Sequence, residues 1–286
     1  MACMNLQLEN KLALITGSTA GIGFAIAKAL AAEGARVIVN GRSEARVTEA
    51  IASIRGLIPS AKLDGLALDL SKADAAVETI KRFPNVDILV NNLGVYQLKP
   101  FEQITDAEWS AIIETNFLSG VRLSRHHLPR MKMAGWGRII FISSESAVNI
   151  PVEMIHYGVT KTMQVALARG LAETTAGTGV TVNSVLAGPT RSEGVEKFVT
   201  DMAKSKNATT AEVEREFFHT VRPSSLLQRF ATTDEVAALV AFVASPLSSA
   251  TNGAALRVEG GVVRSIRSSP VHLNHCERLK PSHALP

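Results

Sequence analysis

Residues 11–23 read KLALITGSTAGIG, an apolar run that ends in a glycine-rich turn. The run 11–16 predicts a buried strand, and apolar residues recur at helical spacing over 21–33 before Gly34. Glycine permits a tight turn and lets the backbone approach a phosphate, and the free N–H groups of a helix N-terminus bind anions. Because this turn lies between a strand and a helix, it predicts a dinucleotide-binding site.

Apolar runs and helical patterns alternate along the rest of the chain. Strands are predicted at 36–40, 65–68, 87–91, 138–142, 180–186 and 255–258. Helices are predicted at 44–55, 71–83, 105–133 and 152–175, the second starting at a capping-box-like Ser71–Asp74 pair and the third at a Thr105–Glu108 capping box. Strands without in–out alternation are typical of a parallel sheet covered on both faces. The pattern predicts one α/β domain over residues 1–266, a doubly wound, seven-stranded parallel sheet that binds ligands at the carboxyl ends of its strands.

Two segments fall outside this alternation. Residues 190–230 form a long, mostly polar connection with a helix-like stretch at 211–219, and long connections of this kind are often active-site lids. Residues 267–286 are rich in Ser, Pro and His and show little periodicity, which predicts a disordered tail.

Bulk composition excludes several classes of protein. The 286 residues are 46% hydrophobic and 20% charged, as in an ordinary soluble domain. The net charge of +4 is not clustered, so we do not expect nucleic-acid binding. The two cysteines, Cys3 and Cys276, suggest neither a disulfide framework nor a metal pair, and no apolar run reaches the ~18 residues of a membrane span. We expect a cytoplasmic protein without a metal or a membrane partner.

The end of the second strand bears on the choice of dinucleotide. An acidic residue about twenty positions after the glycine turn ordinarily binds the ribose hydroxyls of the non-phosphorylated cofactor. Here the sequence is Val39-Asn40-Gly41-Arg42, without an acid. Arg42 would attract a 2′-phosphate, which favours NADP(H) and leaves NAD(H) possible; the alternative is that Arg42 is a solvated surface residue.

A candidate catalytic group follows the fifth strand. Tyr157 and Lys161 are four residues apart, so a helix places them on one face. A phenol has a pKa near ~10 and is a poor proton carrier at neutral pH, whereas a neighbouring ammonium favours phenolate. Ser144 lies at the carboxyl end of the fifth predicted strand and can hydrogen-bond a substrate oxygen near Tyr157.

These motifs together resemble the short-chain dehydrogenase/reductase family over about residues 6–266. The turn at 16–23 resembles the family's Thr-Gly-x-x-x-Gly-x-Gly, and Asn91-Asn92-Leu93-Gly94 is similar to its Asn-Asn-Ala-Gly motif. Tyr157 and Lys161 match its Tyr-x-x-x-Lys pair. Leu93 replaces the usual alanine, and Ala187-Gly188-Pro189 stands where the family usually has Pro-Gly.

The resemblance implies a Rossmann-type fold, a homo-oligomer and specific residue roles. Tyr157 would exchange a proton with the substrate, Lys161 would lower its pKa and hold the nicotinamide ribose, Ser144 would orient the substrate, and Asn116 would support a water-mediated proton relay. The cofactor-binding residues that the resemblance and the turn imply, besides Arg42, Tyr157 and Lys161, are Gly17, Ser18, Thr19, Gly21, Ile22, Gly23, Asp69, Leu70, Asn92, Gly94 and Thr190.

The substrate itself is the least readable part. Candidate substrate contacts are Tyr96, Glu145, Ser192, Phe217 and Phe218. For the two phenylalanines, the alternative is packing of the 190–230 segment against the body of the domain. His126 and His127 are expected at a surface or subunit interface and not at a metal.

We expect NADPH-dependent reduction of a small-molecule ketone, or the reverse oxidation of an alcohol. One alternative is a 3-oxoacyl-(acyl-carrier-protein) reductase, which needs a basic docking patch; Arg122, Arg125, Arg130 and Lys132 on the long helix are candidates, although they also suit a solvated face. A second alternative, of another class, is a catalytically silent cofactor-sensing regulator. Such a protein would be expected to have lost part of the Asn116, Ser144, Tyr157 and Lys161 tetrad.

Overall fold

The computed structural model describes residues 5–265, so the predicted tail at 267–286 and both cysteines lie outside the described residues. The strands are β1 (Leu12–Ile15), β2 (Arg36–Gly41), β3 (Lys62–Ala67), β4 (Ile88–Asn91), β5 (Gly137–Ser144), β6 (Val180–Ala187) and β7 (Ala255–Val258). The α-helices are α1 (Gly21–Ala32), α2 (Glu44–Leu57), α3 (Ala73–Arg82), α4 (Asp106–Ile113), α5 (Ser119–Met133), α6 (Ile155–Glu173), α7 (Glu193–Lys206), α8 (Thr210–Thr220) and α9 (Thr233–Ala244).

The seven strands form one sheet in the order β3-β2-β1-β4-β5-β6-β7, and every pair is parallel. The order reverses between β1 and β4, because the chain builds outward first to one side and then to the other. In such a sheet a crevice opens at the reversal point, beyond the carboxyl ends of the strands. The predicted doubly wound, single-domain fold is confirmed.

Two apolar layers cover the sheet. On one face Leu30 of α1 and Ala237 of α9 pack in the same cluster as Ile15 and Val90 of the sheet. On the other face Leu123 and Ala168, from α5 and α6, belong to a second cluster. Burial on both faces explains why the strands are continuously apolar.

Two local predictions need correction. Ser71 does not begin α3; its N–H and hydroxyl bond to Asp69, and Lys72 occupies the N-cap position without a side-chain cap. The helix α9 was not predicted, although Thr232 and Glu235 form a complete capping box at its start. The Thr105–Glu108 capping box at the start of α4 is confirmed.

The 190–230 segment contains two helices, α7 and α8, and not the single predicted one. They form a small core of their own around Val199, Val213, Phe218 and Phe230. None of the helices within residues 5–265 is both long and apolar enough to cross a membrane.

Candidate active site at the carboxyl ends of the strands

A cavity of about 920 Å³ opens at the predicted edge of the sheet. Its walls come from the turn after β1, the loops after β4 and β6, the end of β5, helix α6 and the 190–230 segment. One continuous space therefore connects the glycine turn with Ser144, Tyr157 and Lys161.

The glycine turn is shaped by conformations and contacts that a side chain would prevent. Gly17 and Gly21 have φ of 61° and 57°, in the left-handed region. A Cβ on Gly23 would lie 2.4 Å from the carbonyl oxygen of Gly17 and 2.5 Å from Nδ2 of Asn92. Asn40 holds the turn to β2 through its Oδ1, which accepts from the Gly17 N–H at 3.0 Å. The turn leaves the N-terminus of α1 open, and this cradle fits a dinucleotide pyrophosphate.

The predicted cofactor residues fall into three groups. Those that line the cavity are Gly17, Ile22, Gly23, Asn92, Gly94, Tyr157, Lys161 and Thr190. Thr19 and Gly21 line a smaller adjoining pocket of about 250 Å³. The side chains of Ser18, Asp69 and Leu70 point elsewhere: Ser18 donates to the Ile15 carbonyl at 2.8 Å, Asp69 binds Ser71, and Leu70 is buried in the core.

Arg42 lies exposed just after β2 and has no hydrogen-bond partner among the described residues. A second arginine that the sequence reading missed, Arg46, lines the smaller pocket together with Thr19. Its Nη2 lies 3.0 Å from Oε2 of Glu193, at the start of α7. Two arginines therefore follow β2, and one of them, Arg46, pairs with the 190–230 segment.

Asn116 lies in a π-helical turn, Glu114–Leu118, that joins α4 to α5. Its Oδ1 accepts from the Val95 N–H at 2.8 Å, and its Nδ2 donates to the Val95 carbonyl and to Thr160. Asn116 is 1% exposed. Its side chain thus fixes the loop after β4 against α6, and π-turns are frequent at functional sites.

Ser144 and Tyr157 lie together on the cavity wall. Desolvation, with the charge of Glu145, raises the pKa of the Tyr157 phenol to about 12 and outweighs the lowering by Ser144. The expected lowering by Lys161 is therefore not seen. The Lys161 Nζ lies 5.5 Å from the centre of the Tyr157 ring.

Lys161 is 5% exposed, and burial lowers its pKa to about 8. Its Nζ donates to the Ile142 carbonyl at 2.9 Å and to Oε1 of Gln164 at 3.3 Å. Gln164, which is 1% exposed, also donates through Nε2 to the main-chain carbonyl of Asn116. The sequence reading missed Gln164, although its position three residues after Lys161 places it on the same helix face.

Four of the five predicted substrate residues line the cavity: Tyr96, Glu145, Ser192 and Phe217. Tyr96 meets the Tyr157 ring edge-on at 6.1 Å. Phe218 does not line the cavity. It is 1% exposed and packs in the core of the 190–230 segment, because consecutive residues of α8 face different directions.

A charge cluster that the sequence did not predict lies in the cavity wall, with Arg222 and Glu145 buried and Glu153 39% exposed. Nε of Arg222, from the 190–230 segment, donates to Oε1 of Glu145 at 2.9 Å. Nη1 of Arg222 lies 3.5 Å from Oε1 of Glu153. No local pattern in the sequence pairs these residues, because they are 77 and 69 positions apart.

This arrangement is suited to moving a proton beside a bound dinucleotide. The phenol of Tyr157 carries a proton at neutral pH. The hydroxyl of Ser144 and the amino group of Lys161 belong to residues that line the same cavity. The cavity joins these groups to the glycine cradle, so the residues present fit a nicotinamide cofactor.

Comparisons with known proteins agree with this geometry. The family model described as short chain dehydrogenase matches residues 11–203. The uncharacterised oxidoreductase YvaG of Bacillus subtilis is 47% identical over 263 residues, 92% of this chain and 100% of that protein. The D-beta-hydroxybutyrate dehydrogenase of Cupriavidus necator is 36% identical over 262 residues, 90% and 99% of the two chains. L-sorbose reductase from Gluconobacter frateurii, solved in complex with NADPH and L-sorbose, has a TM-score of 0.85 at 26% identity, covering 92% of this chain and 100% of that one.

The family model covers more than half of the chain, and the relatives align along nearly their whole length. Sequence motifs, sheet order and site geometry lead to the same assignment. The chain belongs to the short-chain dehydrogenase/reductase family and is an oxidoreductase that acts on CH–OH or C=O groups with a nicotinamide dinucleotide.

Proposed function

We propose that this enzyme reduces a small-molecule ketone with NADPH, or oxidises the corresponding alcohol in reverse. The observation that carries the proposal is the single cavity lined by the glycine turn and by Ser144, Tyr157 and Lys161. Reduction is favoured because cells use NADPH mainly for reduction, and it rests on the argument for NADPH given below.

Tyr157 is the proton donor to the carbonyl oxygen. Its pKa of about 12 keeps the phenol protonated across the physiological range. Ser144 donates a hydrogen bond to the same oxygen and holds it within reach of Tyr157. A bound reduced nicotinamide would supply the hydride.

Lys161 would hold the nicotinamide ribose of a bound cofactor through its charged Nζ, which lies 5.5 Å from the centre of the Tyr157 ring. The Ile142 carbonyl and Gln164 hold its Nζ in the floor of the cavity. Asn116 acts by fixing the loop after β4, through its two bonds to Val95.

The preference for NADPH is supported by charge at the adenosine side of the turn. Arg42 directly follows β2 where an acidic residue is ordinarily found, and Arg46 lines the smaller pocket, whose other charged residues are Glu49 and Glu193. L-sorbose reductase, the structural neighbour, was solved with NADPH. Replacing both arginines by alanine is expected to weaken NADPH binding by ten- to a hundredfold while changing NADH binding little. A parallel loss for both dinucleotides would contradict this preference.

Several further features belong to the proposal. The 190–230 segment serves as a substrate lid of the 1–266 domain, because it contributes Ser192, Phe198, Phe217 and Arg222 to the cavity wall. The enzyme works in the cytoplasm as a homo-oligomer on a small molecule, without nucleic acid or membrane.

The carrier-protein alternative loses part of its docking patch, since Arg122 is neutralised by Glu114 through a contact of 2.6 Å. The alternative of a silent cofactor sensor is disfavoured because Ser144, Tyr157 and Lys161 line one cavity.

The direct test is NADPH oxidation with a panel of ketones, aldehydes and 3-oxoacyl thioesters, measured for the wild type and for Tyr157→Phe. We expect turnover that falls by about 10²- to 10⁴-fold in the variant, the usual contribution of a general acid. Unchanged NADPH binding, followed by cofactor fluorescence, shows that the variant is folded. Binding without turnover of any carbonyl would support the sensor instead.

A further inference from the structure

Arg222 has an unusual environment for a cation in a cavity wall. Its side chain is 9% exposed, and it enters the cavity from the turn after α8. Its Nε donates to Glu145, and its Nη1 donates to the Val221 carbonyl at 3.0 Å and faces Glu153 at 3.5 Å. The guanidinium is therefore held in one orientation from two sides.

Two atoms of this cluster have no hydrogen-bond partner within residues 5–265. Oε2 of Glu145 is a buried acceptor without a donor. Nη2 of Arg222 makes no hydrogen bond, although Arg222 lines the cavity. Buried charged groups are expensive to leave unpaired, and structures rarely do so without a functional reason. Of these two atoms only Nη2 of Arg222 is open to the cavity, and a charged donor of this kind suits a carbonyl or hydroxyl oxygen of a ligand.

The charge of the cluster restricts what it accepts. Arg222 stands between two carboxylates, Glu145 and Glu153, so the three groups together carry one negative charge. Lys206, which also lines the cavity, is paired with Glu216 at 2.7 Å. Glu145 is 4% exposed and desolvated whereas Glu153 is 39% exposed, so the repulsion that disfavours a substrate carboxylate comes mainly from Glu145.

The cluster lies close to the reacting centre. Glu145 directly follows Ser144, and its charge adds to desolvation in raising the pKa of Tyr157, so the carboxylate that Arg222 binds lies near the reacting groups. An oxygen bound by Arg222 would therefore belong to a part of the substrate near its reacting carbonyl. Beyond it the wall is apolar, with Phe198, Met202 and Phe217.

We propose that Arg222, held by Glu145, is a specificity determinant that selects neutral ketones carrying a second oxygen near the reacting carbonyl, as in hydroxyketones and diones. This inference rests on the proposed ketone reduction and names its substrate class. Free keto acids are poor substrates, because the cluster carries a net negative charge.

A matched four-carbon series tests the proposal: butanone, acetoin, diacetyl and acetoacetate, each reduced with NADPH. The quantity compared is kcat/KM for acetoin divided by kcat/KM for butanone. Because both values come from one preparation, their ratio does not depend on the fraction of folded enzyme. One hydrogen bond to a charged group corresponds to a preference of about ten- to a hundredfold.

The first variant is Arg222→Met. We expect the acetoin-to-butanone ratio to fall by about ten- to a hundredfold. Arg215→Met is the matched control, because Arg215 is an exposed residue of α8 that does not line the cavity, and its ratio should stay at the wild-type value.

The second variant is Glu145→Gln, which keeps an oxygen for the Arg222 Nε and removes one negative charge. Reduction of acetoacetate relative to butanone should rise severalfold, and this test does not depend on the stability of the arginine variant.

A wild-type ratio near one for acetoin, or a ratio unchanged by Arg222→Met, would overturn the inference while leaving the proposed ketone reduction intact. Failure of the wild type to reduce any member, or any ketone of the wider panel, would overturn both.

Discussion

The glycine turn and the 190–230 segment face each other across the cavity, and they are built by opposite means. The turn is held by main-chain groups and by the absence of side chains, with Gly23 packed against the Gly17 carbonyl. The 190–230 segment is held by side chains, through its small phenylalanine core and ion pairs such as Lys206–Glu216. The difference indicates that the cofactor side tolerates almost no substitution, whereas the substrate side can be repacked to suit another substrate.

The largest expected effect comes from filling the cradle. A Gly23→Ala methyl group would lie within 2.5 Å of two atoms, neither of which can move without opening the turn. We expect NADPH affinity to fall by about a hundredfold or more, from overpacking of roughly 3 kcal/mol. Fluorescence titration of NADPH measures the change.

Gly56→Ala is the control for this variant. Gly56 lies inside α2 with no heavy atom within 4 Å of an added Cβ. This change should leave NADPH affinity unchanged and stabilise the fold by about 0.5–1 kcal/mol, because alanine favours the helix. Equal NADPH affinities for the Gly23→Ala and Gly56→Ala variants would contradict the claim that the glycine turn tolerates almost no substitution.

The next effect removes the core of the opposite wall. Phe218→Ala deletes a ring that is 1% exposed between Val199, Val213 and Phe230, at a local cost of about 3–5 kcal/mol. Because that core does not include the glycine turn, we expect KM for the ketone to rise more than tenfold while Kd for NADPH changes little.

Hydrogen exchange should show loss of protection confined to α7 and α8 in the Phe218→Ala variant. Phe101→Ala, at a ring that is 57% exposed, serves as the control and should change neither constant. Loss of NADPH binding together with the loss of protection would mean that the two walls fold as one unit.

Lys161 and Tyr157 lie in the cavity between the glycine turn and the 190–230 segment, and their titration predicts a pH dependence of kcat. Lys161 loses its proton above about pH 8, while Tyr157, with a pKa of about 12, keeps its own. Reduction needs both protons, so kcat should be level near neutral pH and fall above about pH 8.

We expect Gln164 to set the pH at which kcat falls, because its Oε1 accepts a hydrogen bond from the charged form of Lys161. Gln164→Leu should lower the pKa of Lys161 and move the falling limb to lower pH by about one unit. Gln164→Glu adds a negative charge and should move the limb to higher pH. Shifts of the same sign in both variants would contradict a positioning role and indicate a packing effect.

The smallest effect concerns the contact that joins the two regions. Glu193 of α7 pairs with Arg46 on the surface, and exposed pairs are worth about 0.2–1 kcal/mol. Glu193→Gln should free Arg46 and tighten NADPH binding by about two- to fivefold at low salt, with no change for NADH. Calorimetry at two salt concentrations checks this, since an electrostatic gain fades with screening.

Features that depend on local spacing were predicted from the sequence, and features that depend on the tertiary fold were not. The strand–turn–helix at 11–23 and the Tyr157–Lys161 pair were predictable, because their geometry depends on local spacing. Arg222 and its partner Glu145 were not predicted as a pair, since only the tertiary fold brings them together. Phe217 and Phe218 are adjacent residues of the same type, but Phe217 lines the cavity and Phe218 is buried in the core of the 190–230 segment. Only the orientation of α8 determines which of the two faces the cavity.

His127 is another residue whose environment was not predicted from the sequence. It was expected at a surface or subunit interface, but it is fully buried, and neither of its ring nitrogens has a hydrogen-bond partner within residues 5–265. Burial lowers its pKa to about 3. The residue type alone suggests a polar environment for His127, but its position on the buried face of α5 makes it part of the core.

The π-helical turn at Glu114–Leu118 has a consequence for how this sequence can change in evolution. An α-helix advances 100° per residue, as its 3.6 residues per turn require, so the extra residue of a π-turn sets the rotation of α4 relative to α5. Deleting one residue here would restore an ordinary helix and rotate Asn116 away from Val95 and Thr160. Chain-length variation, usually tolerated in loops, is therefore forbidden in the middle of this helix, and an alignment gap at this point would mark a lineage that has given up the site.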